Sequence, residues 1–252
     1  DPNNIWVVGD AGQVLKWNGS SFTPQASGAS RTLMAVWGSD ARNVWAVGIG
    51  GAIQYWNGTA WTTQVSGTVQ NLHGVFGTAA NRVVAVGAGG TLLQFDGTAW
   101  TPATVPVTYS LYGVWGSAAN ELWAVGFAGT ALHFDGTTWT QVPTGAVTSL
   151  TALWGTDSSN FWVVGEGGTL LRYSSGSFAV QTSGTTQSLY GLWGSSASRL
   201  IAVGAGGTIL TWNGTAWSPQ TSGCSQNLNG IWGSGSTAWA VGPMGTILQY
   251  AP

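Results

Sequence analysis

Charged side chains are scarce in this sequence. They make up 6% of its 252 residues, with 6 Lys and Arg against 8 Asp and Glu, whereas soluble domains usually carry about 25%. Nucleic-acid binding depends on a basic patch that neutralises phosphates, and attachment to anionic lipid depends on clustered basic residues. We therefore expect no nucleic-acid partner and no electrostatic binding to a membrane.

Cysteine and long apolar runs are nearly missing as well. Cys224 stands alone, so it can form neither an intramolecular disulfide nor a cysteine-based metal site, and we expect it to be a small residue in a loop. No run of about 18 apolar residues occurs, so we expect no membrane-spanning helix. The low charge and the single lysine, Lys16, favour an extracellular or surface protein of a bacterium.

What the sequence has in abundance is an internal repeat. An aromatic residue followed by Gly recurs in steps of 39 residues at Trp37, Phe76, Trp115, Trp154, Trp193 and Trp232. A Val-Gly pair recurs with the same step, except for a last step of 38, and ends at Gly9, Gly48, Gly87, Gly126, Gly165, Gly204 and Gly242. A period in this range indicates a solenoid, a propeller or another repeat array.

Each repeat has the pattern of four short strands, which we call A, B, C and D. In the copy that starts at Leu111 they read LYGVWG, LWAVG, TALHF and TTWTQV. Short β-favouring segments between turn residues predict an all-β unit. Asn-Gly or Asp-Gly follows strand C in five copies, which predicts a type I′ hairpin turn. The copy with Ser174-Ser175-Gly176 predicts a different turn.

Four strands in about 40 residues are what a β-propeller blade requires. The 17 Trp fall mostly at repeated positions, where each ring can bury roughly 150–250 Å² between neighbouring blades. We therefore predict an all-β protein, with residues 1–252 forming a single β-propeller domain of four-stranded antiparallel blades. Strand A carries Gly or Ala two residues before its aromatic, so we expect it to be crowded and innermost.

The number of blades has more than one solution, because the chain begins at strand B and finishes at strand C. The sequence contains six A, seven B, seven C and six D strands. We prefer seven blades, the first lacking strand A and the last lacking strand D. The alternatives are six blades with a spare hairpin at about residues 233–252, a fragment of a longer array, and a homodimer that pairs through open edge strands.

The order WAVG, GTIL, a turn and then Trp resembles the propeller repeats of the BNR/Asp-box kind, which include those of photosystem II assembly factors and sialidases. The resemblance covers essentially the whole chain and implies a propeller. The family pattern Ser-x-Asp-x-Gly-x-Thr-Trp has its nearest match at residues 134–139, FDGTTW, which is one residue shorter and lacks the Ser. Sialidase-like catalysis would need clustered arginines, and here they lie at scattered phases of the repeat: Arg31, Arg42, Arg82, Arg172 and Arg199.

Acids and histidines offer little for catalysis or metal binding. Asp10 and Glu166 share one phase of the repeat, in the B–C loop, but belong to non-adjacent blades, whereas paired glycosidase carboxylates lie close together. His73 falls on strand A of one blade and His133 on strand C of the next, so we expect no shared metal site. We predict no enzyme activity, no metal and no cofactor.

The positions that do not repeat predict a ligand-binding face. In a propeller, the D–A connectors and B–C loops share one face, and pockets form there around the axis. Residues vary at two phases of this face, after the Leu of strand A and at the start of the B–C loop, although drift at exposed positions would look the same. The predicted ligand contacts are Asp10, His73, Tyr112, Phe127, Glu166, Tyr190 and Asn229.

Two classes of function fit this sequence. The first is a non-enzymatic interaction scaffold that binds a protein or peptide. The second is a lectin-like glycan-binding propeller, which low charge, equivalent blades and abundant Trp, Asn and Gly favour. A repeat fragment or assembly with no ligand of its own is the remaining alternative.

Overall fold

The computed structural model describes residues 4–250. Within them, the strands form seven antiparallel sheets in chain order, five with four strands and two with three. These sheets are the blades of a seven-bladed β-propeller, numbered here in chain order. The preferred blade count is confirmed, with blade 1 lacking strand A and blade 7 lacking strand D among the described residues. The six-bladed alternative is wrong, because the last hairpin belongs to a sheet of its own.

Each strand type keeps its place from blade to blade. The A strands are β4 (Leu33–Asp40), β8 (Leu72–Ala79), β12 (Leu111–Ala118), β16 (Leu150–Asp157), β20 (Leu189–Ser196) and β24 (Gly230–Ser234). The B strands are β1 (Trp6–Val8), β5 (Asn43–Gly48), β9 (Arg82–Gly87), β13 (Glu121–Gly126), β17 (Asn160–Gly165), β21 (Arg199–Gly204) and β25 (Thr237–Val241). The C strands are β2 (Val14–Trp17), β6 (Ile53–Trp56), β10 (Leu92–Phe95), β14 (Ala131–Phe134), β18 (Leu170–Ser174), β22 (Ile209–Trp212) and β26 (Ile247–Tyr250). The D strands are β3 (Phe22–Gln25), β7 (Trp61–Thr63), β11 (Trp100–Pro102), β15 (Trp139–Gln141), β19 (Ser177–Val180) and β23 (Trp217–Gln220).

Strand A is the crowded strand, as predicted. The chain divides into two compact units, Asp1–Ala124 with Leu132–Gln141 and Val125–Ala131 with Val142–Pro252, and each is described by itself. In the first unit β8 contacts both β4 and β12, and in the second β20 contacts both β16 and β24. A Cβ at Gly74 would lie 2.8 Å from Tyr112 O, and one at Gly191 would lie 3.1 Å from Ile231 N. Small residues therefore let neighbouring first strands approach.

The core of each unit lies between successive blades. In the first unit Trp45, which is 1% exposed, packs with residues of blade 3 such as Leu72 and Ala85. In the second unit Trp162 packs in the same way with Leu210 and Trp212 of blade 6. Burial of these repeated aromatic and aliphatic side chains is the main stabilising contribution, since a single sheet cannot bury both of its faces.

The C–D hairpins differ from the predicted type I′ turn. Five copies have a four-residue loop, as between the paired Trp17 and Phe22, and only the loop Gly has positive φ. The side-chain oxygen of the Asn or Asp closes the loop by accepting hydrogen bonds from the N–H groups two and three residues later. The prediction was wrong because this Asx turn removes the need for a left-handed Asn. The exceptional copy does differ, since Ser175 and Gly176 both have positive φ, the signs of a type I′ turn.

Candidate ligand-binding face

The B–C loops of blades 1 to 6 are short 3-10 turns that rest against the D–A connectors. They span Asp10–Gly12, Ile49–Gly51, Ala88–Gly90, Phe127–Gly129, Glu166–Gly168 and Ala205–Gly207. The last residue of each turn is a Gly with positive φ. A Cβ at Gly51 would lie 2.1 Å from Thr68 O, and one at Gly168 would lie 2.0 Å from Thr185 O. We call these turns, with the connectors that touch them, the loop face of each unit.

Hydrogen bonds from connector side chains hold the loop face in place. Ser27 Oγ donates to Gly12 O at 2.6 Å, and Thr144 Oγ1 donates to Gly129 O at 2.7 Å. The residue before strand A of the following blade also forms a hydrogen bond to the turn. Asn71 Oδ1 accepts this hydrogen bond from the Gly50 N–H at 2.9 Å. The face is thus a fixed surface of backbone groups with side chains projecting from it.

Three of the predicted ligand residues lie in the first unit. Asp10 is exposed, and its Oδ1 accepts a hydrogen bond from Thr32 Oγ1 at 3.1 Å. His73 and Tyr112 are half-buried neighbours whose ring centroids are 5.3 Å apart. The Nδ1–H of His73 donates to Leu111 O at 3.0 Å. The side chains of Asp10 and His73 therefore already form hydrogen bonds within the protein.

The other four predicted residues lie in the second unit. Glu166 Oε2 accepts a hydrogen bond from the Ser149 N–H at 3.3 Å. Phe127 opens its 3-10 turn with its side chain 47% exposed. Tyr190 is half-buried, whereas Asn229 is exposed and its backbone N–H donates to Val241 O. Within residues 142–250 no hydrogen bond joins the side chains of Glu166, Tyr190 and Asn229 to one another.

A β-bulge explains why the residue after the Leu of strand A has no partner in the regular pairing of strands A and B. The pairing of strands A and B shifts between Leu72 and Gly74, and between Leu150 and Ala152. The residue left between them, His73 or Thr151, is the extra residue of the bulge, and bulges re-aim side chains. Thr151 Oγ1 donates to Leu189 O at 2.6 Å, in the same way as His73 bonds to Leu111 O. The bulge was missed at the level of sequence, although the step from Leu to Gly or Ala breaks the strand alternation.

Sequence reasoning also missed a groove in the first unit. It has a volume of about 830 Å³ and is lined by residues 28–31, 50–54 and 63–70. Val65 and Val69 on its connector are 86% and 84% exposed. Arg31 lies over Gly50, because a Cβ there would be 1.7 Å from Arg31 Nη1. The one available signal was Val69, an apolar residue in a polar connector, which recurs at the same phase as Val147.

His133 and Cys224 have local structural partners. His133 Nε2 lies 2.9 Å from Glu121 Oε2, and its ring lies 4.5 Å from that of Trp123. Cys224 lies in a connector, as predicted, and makes its own local hydrogen bonds. Among residues 4–250 no group of three His, Cys, Asp or Glu side chains is arranged to hold a metal ion. In the same residues no helix has the length and hydrophobicity needed to cross a membrane.

Comparison with known proteins identifies the fold. No family model and no curated protein matches this sequence. The structure of YCF48 bound to D1 peptide aligns with a TM-score of 0.80 and 15% identity, covering 100% of this chain and 89% of that one. YCF48 from Cyanidioschyzon merolae aligns with a TM-score of 0.79 and 18% identity over 100% and 92% of the two chains. The C-terminal WD40 domain of Sif2 aligns with a TM-score of 0.73 and 13% identity over 99% and 78%. The chain is a β-propeller. At these identities the similarity extends to the fold and no further.

Proposed function

We propose that this protein is a non-enzymatic interaction scaffold that binds a peptide segment of a partner protein on its loop face. The observation that carries the proposal is the groove of about 830 Å³ in the first unit. Ligand sites in proteins have volumes of roughly 300–1,000 Å³ and combine apolar walls with a few polar groups. The groove has a volume in this range and carries both aliphatic and polar groups, and it is largely open to solvent, which suits an extended peptide.

The chemistry of the groove favours an extended peptide with apolar side chains and an acidic group. Val65 and Val69 offer exposed aliphatic contacts at its connector wall. Arg31 supplies a cation that can pair with a carboxylate. The turn and connector backbones supply polar groups that a peptide backbone can bond to, which is how extended segments are commonly recognised.

One structural neighbour supports this class of ligand. YCF48 has been observed bound to D1 peptide, with the same fold over the whole length of this chain. The C-terminal WD40 domain of Sif2 and the Cps50 (Swd1) β-propeller domain share the fold alone. The likeness is one of fold, so the choice of peptide rests on the groove rather than on those proteins. Closer kinship with the BNR/Asp-box repeats stays a prediction.

The seven residues predicted from sequence, three in the first unit and four in the second, lie outside the lining of the groove and remain a separate prediction. Because His73 bonds to a backbone carbonyl, replacing it tests structure and ligand contact together. His73→Thr separates the two, since Thr151 makes the equivalent bond. We expect His73→Thr to leave the unfolding midpoint nearly unchanged and to weaken binding if the imidazole contacts the ligand.

A displayed library of random 12-residue peptides tests the proposal. Selected peptides are synthesised, and their affinity is measured by calorimetry against the wild type and two variants, Arg31→Glu and Val69→Asp. We expect each variant to weaken binding about tenfold or more, since a charge is placed against a carboxylate or an apolar contact. Val180→Asp is the matched control, because Val180 is 76% exposed on β19, outside the loop face. Failure to select any binder contradicts the proposal. The proposal is also contradicted if Arg31→Glu and Val69→Asp bind the peptide as tightly as the Val180→Asp control does.

The lectin-like alternative and the oligomeric state remain predictions. Trp abundance favoured a glycan site, yet many of the Trp side chains belong to the cores between blades, and those of Trp45, Trp123 and Trp162 are at most 2% exposed. A glycan array without hits would remove the lectin reading. A homodimer through open edges, and a single domain over residues 1–252, are tested by light scattering and by a single cooperative unfolding transition.

A further inference from the structure

The second residue of strand C departs from the repeat in blade 2. This residue is Gln54 on β6, an inner strand of a complete four-stranded blade. In the other six C strands the same position holds leucine, namely Leu15, Leu93, Leu132, Leu171, Leu210 and Leu248. In the other complete blades this leucine is buried, and Leu210 belongs to the core between blades 5 and 6. Gln54 is itself only 3% exposed, so an amide takes the place of a core leucine.

The residue that faces Gln54 across the sheet is polar as well. Gln54 pairs with Thr63 of β7. The equivalent pair in blade 3 is Leu93 with Pro102. Gln54 Nε2 donates a hydrogen bond to Thr63 Oγ1 at 3.0 Å, and Gln54 Oε1 lies 3.3 Å from the same hydroxyl oxygen. A carboxamide has two N–H donors, and among residues 4–250 the second N–H of Gln54 has no hydrogen-bond partner.

The incomplete hydrogen bonding of Gln54 is unfavourable for the unliganded protein. A buried N–H without an acceptor loses its hydrogen bond to water and gains none in return. A leucine would instead contribute apolar burial, and the leucines of the other blades show that the fold accommodates one at this position. The amide is therefore not needed for folding, which points to a ligand as the partner of its second N–H.

Gln54 and Thr63 both line the groove of the first unit. Val65 and Val69 stand at the rim of this groove, since their side chains are almost fully exposed, whereas Gln54 is nearly buried. Gln54 therefore belongs to the floor of the groove. A peptide main chain that contacts the two valines lies above this floor, so a side chain of the peptide has to reach down to the amide.

We propose that Gln54 and Thr63 form a subsite for a side-chain carboxamide, that of an Asn or Gln in the bound peptide. The oxygen of this carboxamide accepts the second N–H of Gln54, and its NH2 group donates to Thr63 Oγ1 or to Gln54 Oε1. The inference rests on the proposed function. It adds an amide side chain to the apolar and acidic groups proposed for the peptide.

Other side chains match this subsite less well. A carboxylate has no donor, and it would carry a charge into a nearly buried position, where desolvation is costly. Lys and Arg have no acceptor for the N–H of Gln54, and an aliphatic side chain leaves that N–H without a partner. The hydroxyl of Ser or Thr is both donor and acceptor, but it sits on a shorter side chain that reaches less far toward the floor. A carboxamide supplies an acceptor and donors without charge.

Parallel selections from a displayed library of random 12-residue peptides test the subsite, with the wild type and Gln54→Leu as targets. We expect the wild type to enrich Asn or Gln at one fixed position relative to an apolar residue, and Gln54→Leu to lose this enrichment. By calorimetry the best wild-type peptide should bind Gln54→Leu about tenfold more weakly, since a buried hydrogen bond is lost. Gln94→Leu on β10 is the matched control, because Gln94 lies outside the lining of the groove. It should change the affinity less than about twofold.

Two further measurements separate a ligand contact from a structural role. Replacing the selected Asn or Gln of the peptide by Leu should weaken binding to the wild type about tenfold, but binding to Gln54→Leu less than about twofold. Without peptide, the urea midpoint of Gln54→Leu should equal or exceed that of the wild type, because leucine fills this position in the other blades. A residue with only a structural role would not lose affinity while keeping its stability.

The outcomes distinguish the subsite from the proposed function. Wild-type binders without a recurring Asn or Gln overturn the subsite and leave the proposed function intact. The same holds for binders whose affinity is unchanged by Gln54→Leu or by loss of the amide from the peptide. If Gln54→Leu does not fold, the peptide substitution measured on the wild type still decides. Failure to select any binder contradicts the proposed function itself, and the subsite with it.

Discussion

The thiol of Cys224 accepts a hydrogen bond from the Gln226 N–H at 3.3 Å. In two other connectors a threonine hydroxyl does the same, as Thr68 Oγ1 accepts from the Gln70 N–H at 3.1 Å. Cys224 thus stands in for a threonine that closes a small turn beside the B–C loop. Sulfur is a weak acceptor, so this turn is less well satisfied than its counterparts.

We expect Cys224→Thr to match or exceed the wild type in free energy of unfolding, by up to about 1 kcal/mol. Cys224→Val has nearly the shape of Thr but offers no acceptor, and it should lose about 0.5–1.5 kcal/mol relative to Cys224→Thr. Urea denaturation followed by Trp fluorescence measures both. Equal midpoints for the Thr and Val variants would show that the turn does not need the hydrogen bond.

Gly168 and Gly184 separate backbone strain from steric conflict. Both have φ near +73° and lie in the second unit, but a Cβ at Gly184 meets nothing within 4 Å, whereas one at Gly168 lies 2.0 Å from Thr185 O. Gly184→Ala should cost about 1–2 kcal/mol for the left-handed conformation. Gly168→Ala should cost about 3–5 kcal/mol, because the connector must also move. Denaturation midpoints compare the two, and similar losses would mean that turn and connector are not tightly packed.

Asp96 and Asp135 should make the free energy of unfolding depend on pH in the acidic range. Hydrogen bonds from the Thr98 hydroxyl and from the N–H groups of Ala99 and Thr98 lower the pKa of Asp96 to about 2. The Thr137 hydroxyl and the Thr138 and Thr137 N–H groups lower the pKa of Asp135 as well. A lowered folded-state pKa means that the stabilisation is complete above the unfolded value of about 3.9 and is lost as the pH falls toward 2.

The double variant Asp96→Asn, Asp135→Asn isolates this effect. Asn57 and Asn213 already close the equivalent loops, so the fold should tolerate the change. Urea midpoints measured from pH 5 to pH 2 should fall more steeply for the wild type than for the variant. Parallel curves would mean that the Asx turns contribute nothing to acid sensitivity.

The fold was predictable from sequence because the repeat places aromatics at fixed phases. The register of Trp37 and its counterparts led to seven blades, with the first and last incomplete. The hairpin prediction failed because it considered only backbone preference, whereas the side chain of Asn18 closes the loop by accepting two N–H groups. A dipeptide does not distinguish these two solutions, since Asn-Gly suits both.

Less of the candidate site could be predicted. Variation along the repeat drew attention to His73 and Tyr112, and their rings do lie together in the first unit. The sequence variation did not indicate that His73 lies in a bulge and donates a hydrogen bond to a backbone carbonyl. The groove at residues 28–31, 50–54 and 63–70 escaped notice because much of its wall is glycine and backbone, which leave no distinctive pattern in a sequence rich in glycine.

Hydrogen exchange of the protein with and without a library-selected peptide shows whether the peptide binds on the loop face. Exchange is followed by mass spectrometry at saturating peptide. We expect slowed exchange in residues 28–31, 50–54 and 63–70 of the first unit, with the D strands other than β7 unaffected. If exchange in all three segments is the same with and without peptide, the peptide does not bind on the loop face. This result would contradict the proposed function even if the peptide binds tightly elsewhere.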